Sequence, residues 1–148
     1  MKVSIINIGD ELLIGQVVNT NATWMSQQLI AAGMDVSKVY TISDNRMDIE
    51  NTLQQAMLCS DAVIITGGLG PTKDDILMYD YLKYHNMNVC VIATKCDKVG
   101  TTLITRHKND IAKKLNIDKN KVFLTSSLNK IGFEKLTEFV MDFCEKKL

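Results

Sequence analysis

AVIITGGLGPTKDD, residues 62–75, carries the reading of the fold. Ala62–Thr66 is an apolar run of strand length, too apolar to face water on one side, and reads as a buried strand. Gly67-Gly68-Leu69-Gly70-Pro71 closes it, because glycine and proline punctuate regular elements. From about Lys73 to His85 the period changes, and Ile76, Tyr79 and Leu82 fall on one helical face. A buried strand, a tight glycine turn and an amphipathic helix are the ingredients of a parallel βα architecture.

The same alternation extends outward in both directions. Upstream, Val3–Ile8 is an apolar strand ended by Gly9, and Asn21–Ala32 is a helix with Ala22, Met25, Leu29 and Ala32 on one face. Thr20 or Asn21 can cap that helix, and Gly33 suits the position just past its end. Val36–Ile42 alternates more and suits an outer strand, while Asp48–Cys59 stripes Ile49, Leu53 and Ala56. Downstream come a strand at Val89–Thr94, a helix at Thr102–Leu115 with Ile104, Ile111 and Leu115 inward, and a strand at Val122–Thr125. The closing helix places Leu136, Phe139, Val140, Phe143 and Cys144 on one stripe. Five βα units predict a single α/β domain over residues 1–148, a three-layer α/β/α sandwich around a five-stranded parallel sheet.

Composition narrows the function classes. The 148 residues are 46% hydrophobic and 23% charged, ordinary for a globular chain. The apolar runs fall far short of the roughly 20 residues that span a bilayer. Met1-Lys2 leads directly into a strand without a leader pattern, so a soluble, cytoplasmic protein is expected. Cys59, Cys90, Cys96 and Cys144 show no CxxC pairing or metal-ligand spacing and read as reduced thiols. Net charge is zero but unevenly spread: residues 1–75 carry 4 Lys+Arg against 9 Asp+Glu, and residues 76–148 carry 13 against 8. The basic half lacks interleaved aromatics, so neither nucleic acid nor membrane is expected as a partner. A monomer that requires no cofactor is expected. Trp24 reads as a packing residue and fluorescence probe, and His85 and His107 as isolated residues without the Ser or Cys partner of a nucleophilic site.

Three motifs carry a resemblance over residues 2–75: Gly9-Asp10-Glu11-Leu12-Leu13 with Gly15, Asn19-Thr20-Asn21, and Gly67 through Asp75. At these spacings the segment resembles the molybdopterin-binding-like domain of CinA proteins. The resemblance implies a glycine turn close to a phosphorylated pterin or nucleotide, with Gly67, Gly68, Gly70 and Thr72 as the phosphate loop. Glycines let backbone N–H groups approach a phosphate, and a following helix start adds partial positive charge. Relatives of that family include a metal-dependent ADP-ribose pyrophosphatase, which implies Asp10, Glu11 and Asp74 as metal ligands, with Mg²⁺ the ion.

A second resemblance covers residues 72–148. Thr94-Lys95-Cys96-Asp97 at the end of an apolar strand, and Ser126-Ser127-Leu128 followed by Gly132 and a helix, resemble the guanine-contacting loops of EngB-type P-loop GTPases. It implies that Asp97 accepts from the guanine ring, Lys95 lies along the base and the Ser127 N–H meets the guanine carbonyl, with GDP or GTP weakly bound. Hydrolysis is excluded by the first half. Gly9 and Gly15 are separated by five residues and followed by Gln16-Val17, whereas a P-loop needs four and then Lys-Ser/Thr.

Together the two resemblances imply a splice near Pro71–Asp75 and a sheet order 2-1-3-4-5 of the flavodoxin type, with Rossmann-like 3-2-1-4-5 as the runner-up. The expected function is that of an engineered chimeric scaffold with no intact native activity, and not an enzyme. The alternatives are a guanine-nucleotide binding module through the TKCD and SSL loops, and a metal-dependent nucleotide-pyrophosphatase remnant.

Overall fold

Lys2–Ile8 forms β1, and its side chains explain why it sits at the centre of a sheet: Val3, Ser4, Ile5, Ile6 and Asn7 are all buried. Asp35–Ile42 forms β2 and Ala62–Thr66 forms β3. Both pair parallel to β1, in the order β2-β1-β3, with Asn7 opposite Thr41 on one side and Thr66 on the other. The computed structural model describes residues 1–67, 73–100, 102–126, 129 and 131–145; for 73, 74, 77, 133 and 143–145 it describes the backbone alone.

The helices of this part follow the sequence pattern closely. The short α1, Asp10–Leu13, opens directly from Gly9. Thr20–Ala31 forms α2 and Arg46–Cys59 forms α3. The cap of α2 is Asn19 rather than Thr20 or Asn21, its side chain accepting from the Ala22 N–H at 3.0 Å. Gly33 adopts φ +78° just past the helix, a conformation an L side chain resists. Leu53 and Ala56, on the α3 stripe, are 1% and 0% exposed and account for the helix packing on the sheet.

The chain divides into two compact units, Met1–Gly68 and Leu69–Leu148. The second contains α4 (Lys73–Tyr84), β4 (Val91–Ala93), α5 (Ile104–Leu115), β5 (Val122–Leu124) and α6 (Phe133–Glu145). Its core is Ala112, Leu115, Ile117 and Val122, covered by Ile76, Tyr79, Val91 and Ile111. Phe123 and Phe139 pack with their rings tilted at 52° and centroids 5.0 Å apart, so the α6 stripe meets β5 as its periodicity predicts. Phe143 and Cys144, placed on the same stripe, lie outside the described side chains.

A parallel α/β architecture is therefore observed, but the five-stranded sheet is not. Three strands pair as β2-β1-β3, and β4 pairs with β5 in a sheet of two. Neither 2-1-3-4-5 nor 3-2-1-4-5 is shown, nor is the three-layer sandwich around five strands. The expected strand Val89–Thr94 is held to three residues, and Ile92 within it is 38% exposed. That is not the continuous doubly buried run which a central parallel strand requires.

Candidate functional site

The carboxyl ends of β1 and β3 form a rim within the first unit. The buried Gly9 follows β1, and its N–H donates to the Ile42 carbonyl at 3.1 Å, holding the exit of β1 against the end of β2. Its carbonyl accepts from the N–H groups of Leu12 and Leu13, which starts α1 at once with the exposed residues Asp10 and Glu11 in its first turn. The Glu11 carboxylate folds back over Gly9: a Cβ built on Gly9 would lie 2.7 Å from Glu11 Oε1.

Gly67 follows β3 and has φ +151°, in the region that glycine alone adopts without cost. A Cβ there would lie 2.8 Å from the Ile8 carbonyl oxygen and 2.9 Å from Ile8 Cβ. The missing side chain is thus what lets the two strand exits converge. Gly68, Gly70 and Thr72 lie outside the described residues.

Below the rim sits an internal polar group that the sequence reading passed over. Asn7 is 0% exposed. Its Nδ2 donates to the Tyr40 carbonyl at 2.9 Å, and its Oδ1 accepts from Thr66 Oγ1 at 2.9 Å. One carboxamide on β1 therefore reaches both neighbouring strands, one turn of chain before Gly9 and Gly67. The available signal was a single Asn within the apolar run of residues 3–8.

Asp10 and Glu11 are adjacent and exposed, and Asp74, the third proposed ligand, belongs to the second unit with its side chain outside the described set. Among the described residues no group of three or more His, Cys, Asp or Glu side chains converges to hold a metal ion. Two carboxylates nevertheless match the habit of Mg²⁺, which takes one or two of them and completes its shell with water and ligand phosphates. Without such an ion the same carboxylates repel a phosphate.

The residues of the second motif set meet in the other unit. Asp97 accepts from Ser126 Oγ at 2.5 Å, the Cys96 N–H donates to the Thr125 carbonyl, and Lys95 holds φ +60° at the turn. Ser126 is fully buried, whereas Thr94 and Lys95 are exposed. One oxygen of Asp97 is thereby engaged by the protein itself. Ser127 lies outside the described residues.

Comparison with known proteins gives a consistent picture. The family described as "Probable molybdopterin binding domain" matches residues 4–89. A CinA-like protein of Desulfovibrio desulfuricans is 47% identical over 76 residues, 51% of this chain and 18% of its own length. A CinA-like protein of Prochlorococcus marinus is 45% identical over 87 residues, 59% of this chain and 20% of its own. The chain thus spans about a fifth of the length of these curated relatives. The crystal structure of the protein CinA with unknown function from Thermoplasma acidophilum superposes with a TM-score of 0.52 at 27% identity, covering 77% of this chain and 66% of that one.

These matches overturn the reading of an engineered scaffold. The family match runs without a break through Pro71–Asp75, where the splice was placed, and on to residue 89. The comparisons point to a natural CinA-like chain with a molybdopterin-binding domain; nothing in them shows a GTPase segment or supports guanine-nucleotide binding. The guanine module, which depended on the GTPase-like half, is withdrawn with it, as is the pyrophosphatase remnant. The TKCD and SSL strings are short, and of their described residues Asp97 and Ser126 bond to each other.

Proposed function

Because the chain belongs to the probable molybdopterin binding domain family, we propose that its first unit binds the phosphate end of a phosphorylated pterin at the Gly9–Gly67 rim. The observation that carries the proposal is the close approach of Gly67 to Ile8, which a Cβ would abolish. It brings main chain, rather than side chain, to the mouth between β1 and β3. Ligands of open parallel sheets favour the carboxyl ends of strands at a reversal of strand order, and β1 is where the order β2-β1-β3 reverses. Main-chain N–H groups at such a turn are suited to phosphate oxygens.

A divalent cation belongs to this reading. Asp10 and Glu11 would hold Mg²⁺, which when bound supplies the positive charge that lets a phosphate approach two carboxylates. The proposal is of binding alone, without catalysis. It is tested by the fluorescence anisotropy of a pterin monophosphate titrated with the protein. Saturable binding in the presence of Mg²⁺, reversed by a chelator and lost in the Asp10→Asn/Glu11→Gln variant, is the expected result. Anisotropy that stays flat at millimolar protein with Mg²⁺ present rules the proposal out.

A further inference from the structure

We infer that Asn7, together with Thr66, is the positioning residue of the rim: it sets the spacing between the exits of β1 and β3 and so the affinity of the site above it. This rests on the rim being the pterin-phosphate site proposed above.

The argument starts from the cost of the residue. Asn7 is 0% exposed, like Ile5 and close to the 1% of Ile6 beside it, so its carboxamide has left water. A buried carboxamide is tolerated there only because both of its halves are bonded. The amide group reaches β2 at the Tyr40 carbonyl, and the oxygen receives the Thr66 hydroxyl from β3. Backbone ladders already hold the three strands in register. What the side chain adds is a fixed lateral distance at one level, set by two 2.9 Å bonds. That level lies one residue before Gly67 and two before Gly9. Gly67 lies close enough to Ile8 that no Cβ would fit, so a change in the separation of β1 and β3 is felt at the rim.

Replacing Asn7 and Thr66 together by apolar groups leaves only the Tyr40 carbonyl without its side-chain donor, whereas Thr66→Val alone strands one half of a buried carboxamide. Positioning and folding can therefore be separated. Four variants are compared with the wild type: Thr66→Val, Thr66→Ser, Asn7→Leu/Thr66→Val, and Ser4→Ala. The last is a control, since Ser4 is equally buried on β1 and bonded to Ser60 Oγ at 2.5 Å, but lies near the opposite end of the strand. Binding of a pterin monophosphate with Mg²⁺ is followed by anisotropy, and the Gly9 and Gly67 amide resonances are recorded on the ligand-free proteins.

Thr66→Val and the double variant should bind about tenfold more weakly or worse, because a site loosened by a fraction of an ångström loses preorganisation. Thr66→Ser should restore wild-type affinity, and Ser4→Ala should keep it whatever stability it loses. The free-protein Gly9 and Gly67 resonances should shift in Thr66→Val and the double variant and return in Thr66→Ser. A double variant that binds as the wild type does overturns the inference while leaving the proposed site standing. Should the wild type itself fail to bind, the proposed function falls, and the amide resonances alone decide: unmoved Gly9 and Gly67 resonances in the double variant refute the positioning role.

Discussion

Gly67→Ala is the sharpest perturbation of the first unit. Two costs add at this position. The backbone must hold φ +151° with a side chain attached, a sparsely populated region that costs about 1–3 kcal/mol. The new methyl must also fit where the Ile8 carbonyl oxygen stands at 2.8 Å and Ile8 Cβ at 2.9 Å. Ile8 ends the central strand, so neither atom can retreat without disturbing β1, and overpacking of this kind costs about 1–3 kcal/mol. A combined loss of about 3 kcal/mol is expected, roughly a hundredfold fall in the ratio of folded to unfolded first unit. Gly9→Ala is the natural comparison. Its backbone is extended, and the atoms that a methyl meets belong to the Glu11 carboxylate, which can swing into solvent. Its cost should stay under about 1 kcal/mol. Urea unfolding followed by Trp24 fluorescence reads this unit specifically, since Trp24 is the one tryptophan of the chain and sits in α2. A Gly67→Ala midpoint equal to that of Gly9→Ala would refute the steric account of the rim.

Asn19→Ala should lower the same midpoint by about 1 kcal/mol, because the side chain caps α2 at the Ala22 N–H; no change would reassign the cap. Leu53→Ala should cost about 2–5 kcal/mol by opening a cavity between α3 and β1, where Leu53 is 1% exposed, and a loss below 1 kcal/mol would contradict that packing. Cys59 and Cys90 should differ in reactivity. The Ser60 hydroxyl, with a smaller contribution from Ser4 and against an opposing effect of burial, lowers the Cys59 thiol pKa, while burial raises that of Cys90. The thiolate is the reacting form, so at pH 8 iodoacetamide should label Cys59 first, and Ser60→Ala should slow it; peptide mass spectrometry that finds Cys90 labelled first contradicts the assignment.

Much of the local structure was legible because it is written in nearest neighbours. The α3 stripe of Leu53 and Ala56, the strand Ala62–Thr66 and the helix stop at Gly33 follow from period and backbone preference alone. The cap of α2 slipped by one residue within Asn19-Thr20-Asn21, where all three side chains can accept from a helix N–H. Pairing between distant strands leaves no such mark. The order beyond β2-β1-β3 was inferred from resemblance, and β4 is observed paired with β5 in a sheet of two. The splice was read from two short strings, TKCD and SSL, of which Asp97 and Ser126 form a hydrogen bond with each other. Asn7 escaped notice for the opposite reason. A single polar residue in an apolar run does not change its period, and its meaning appears only when Tyr40 and Thr66 are brought beside it.

The most direct measurement is an amide-shift titration of the protein with a pterin monophosphate in the presence of Mg²⁺. Binding at the rim predicts saturable shifts concentrated at Gly9, Asp10, Glu11 and Gly67. Resonances that stay fixed at millimolar ligand, or shifts gathered around Lys95–Asp97 and Ser126 instead, would contradict it.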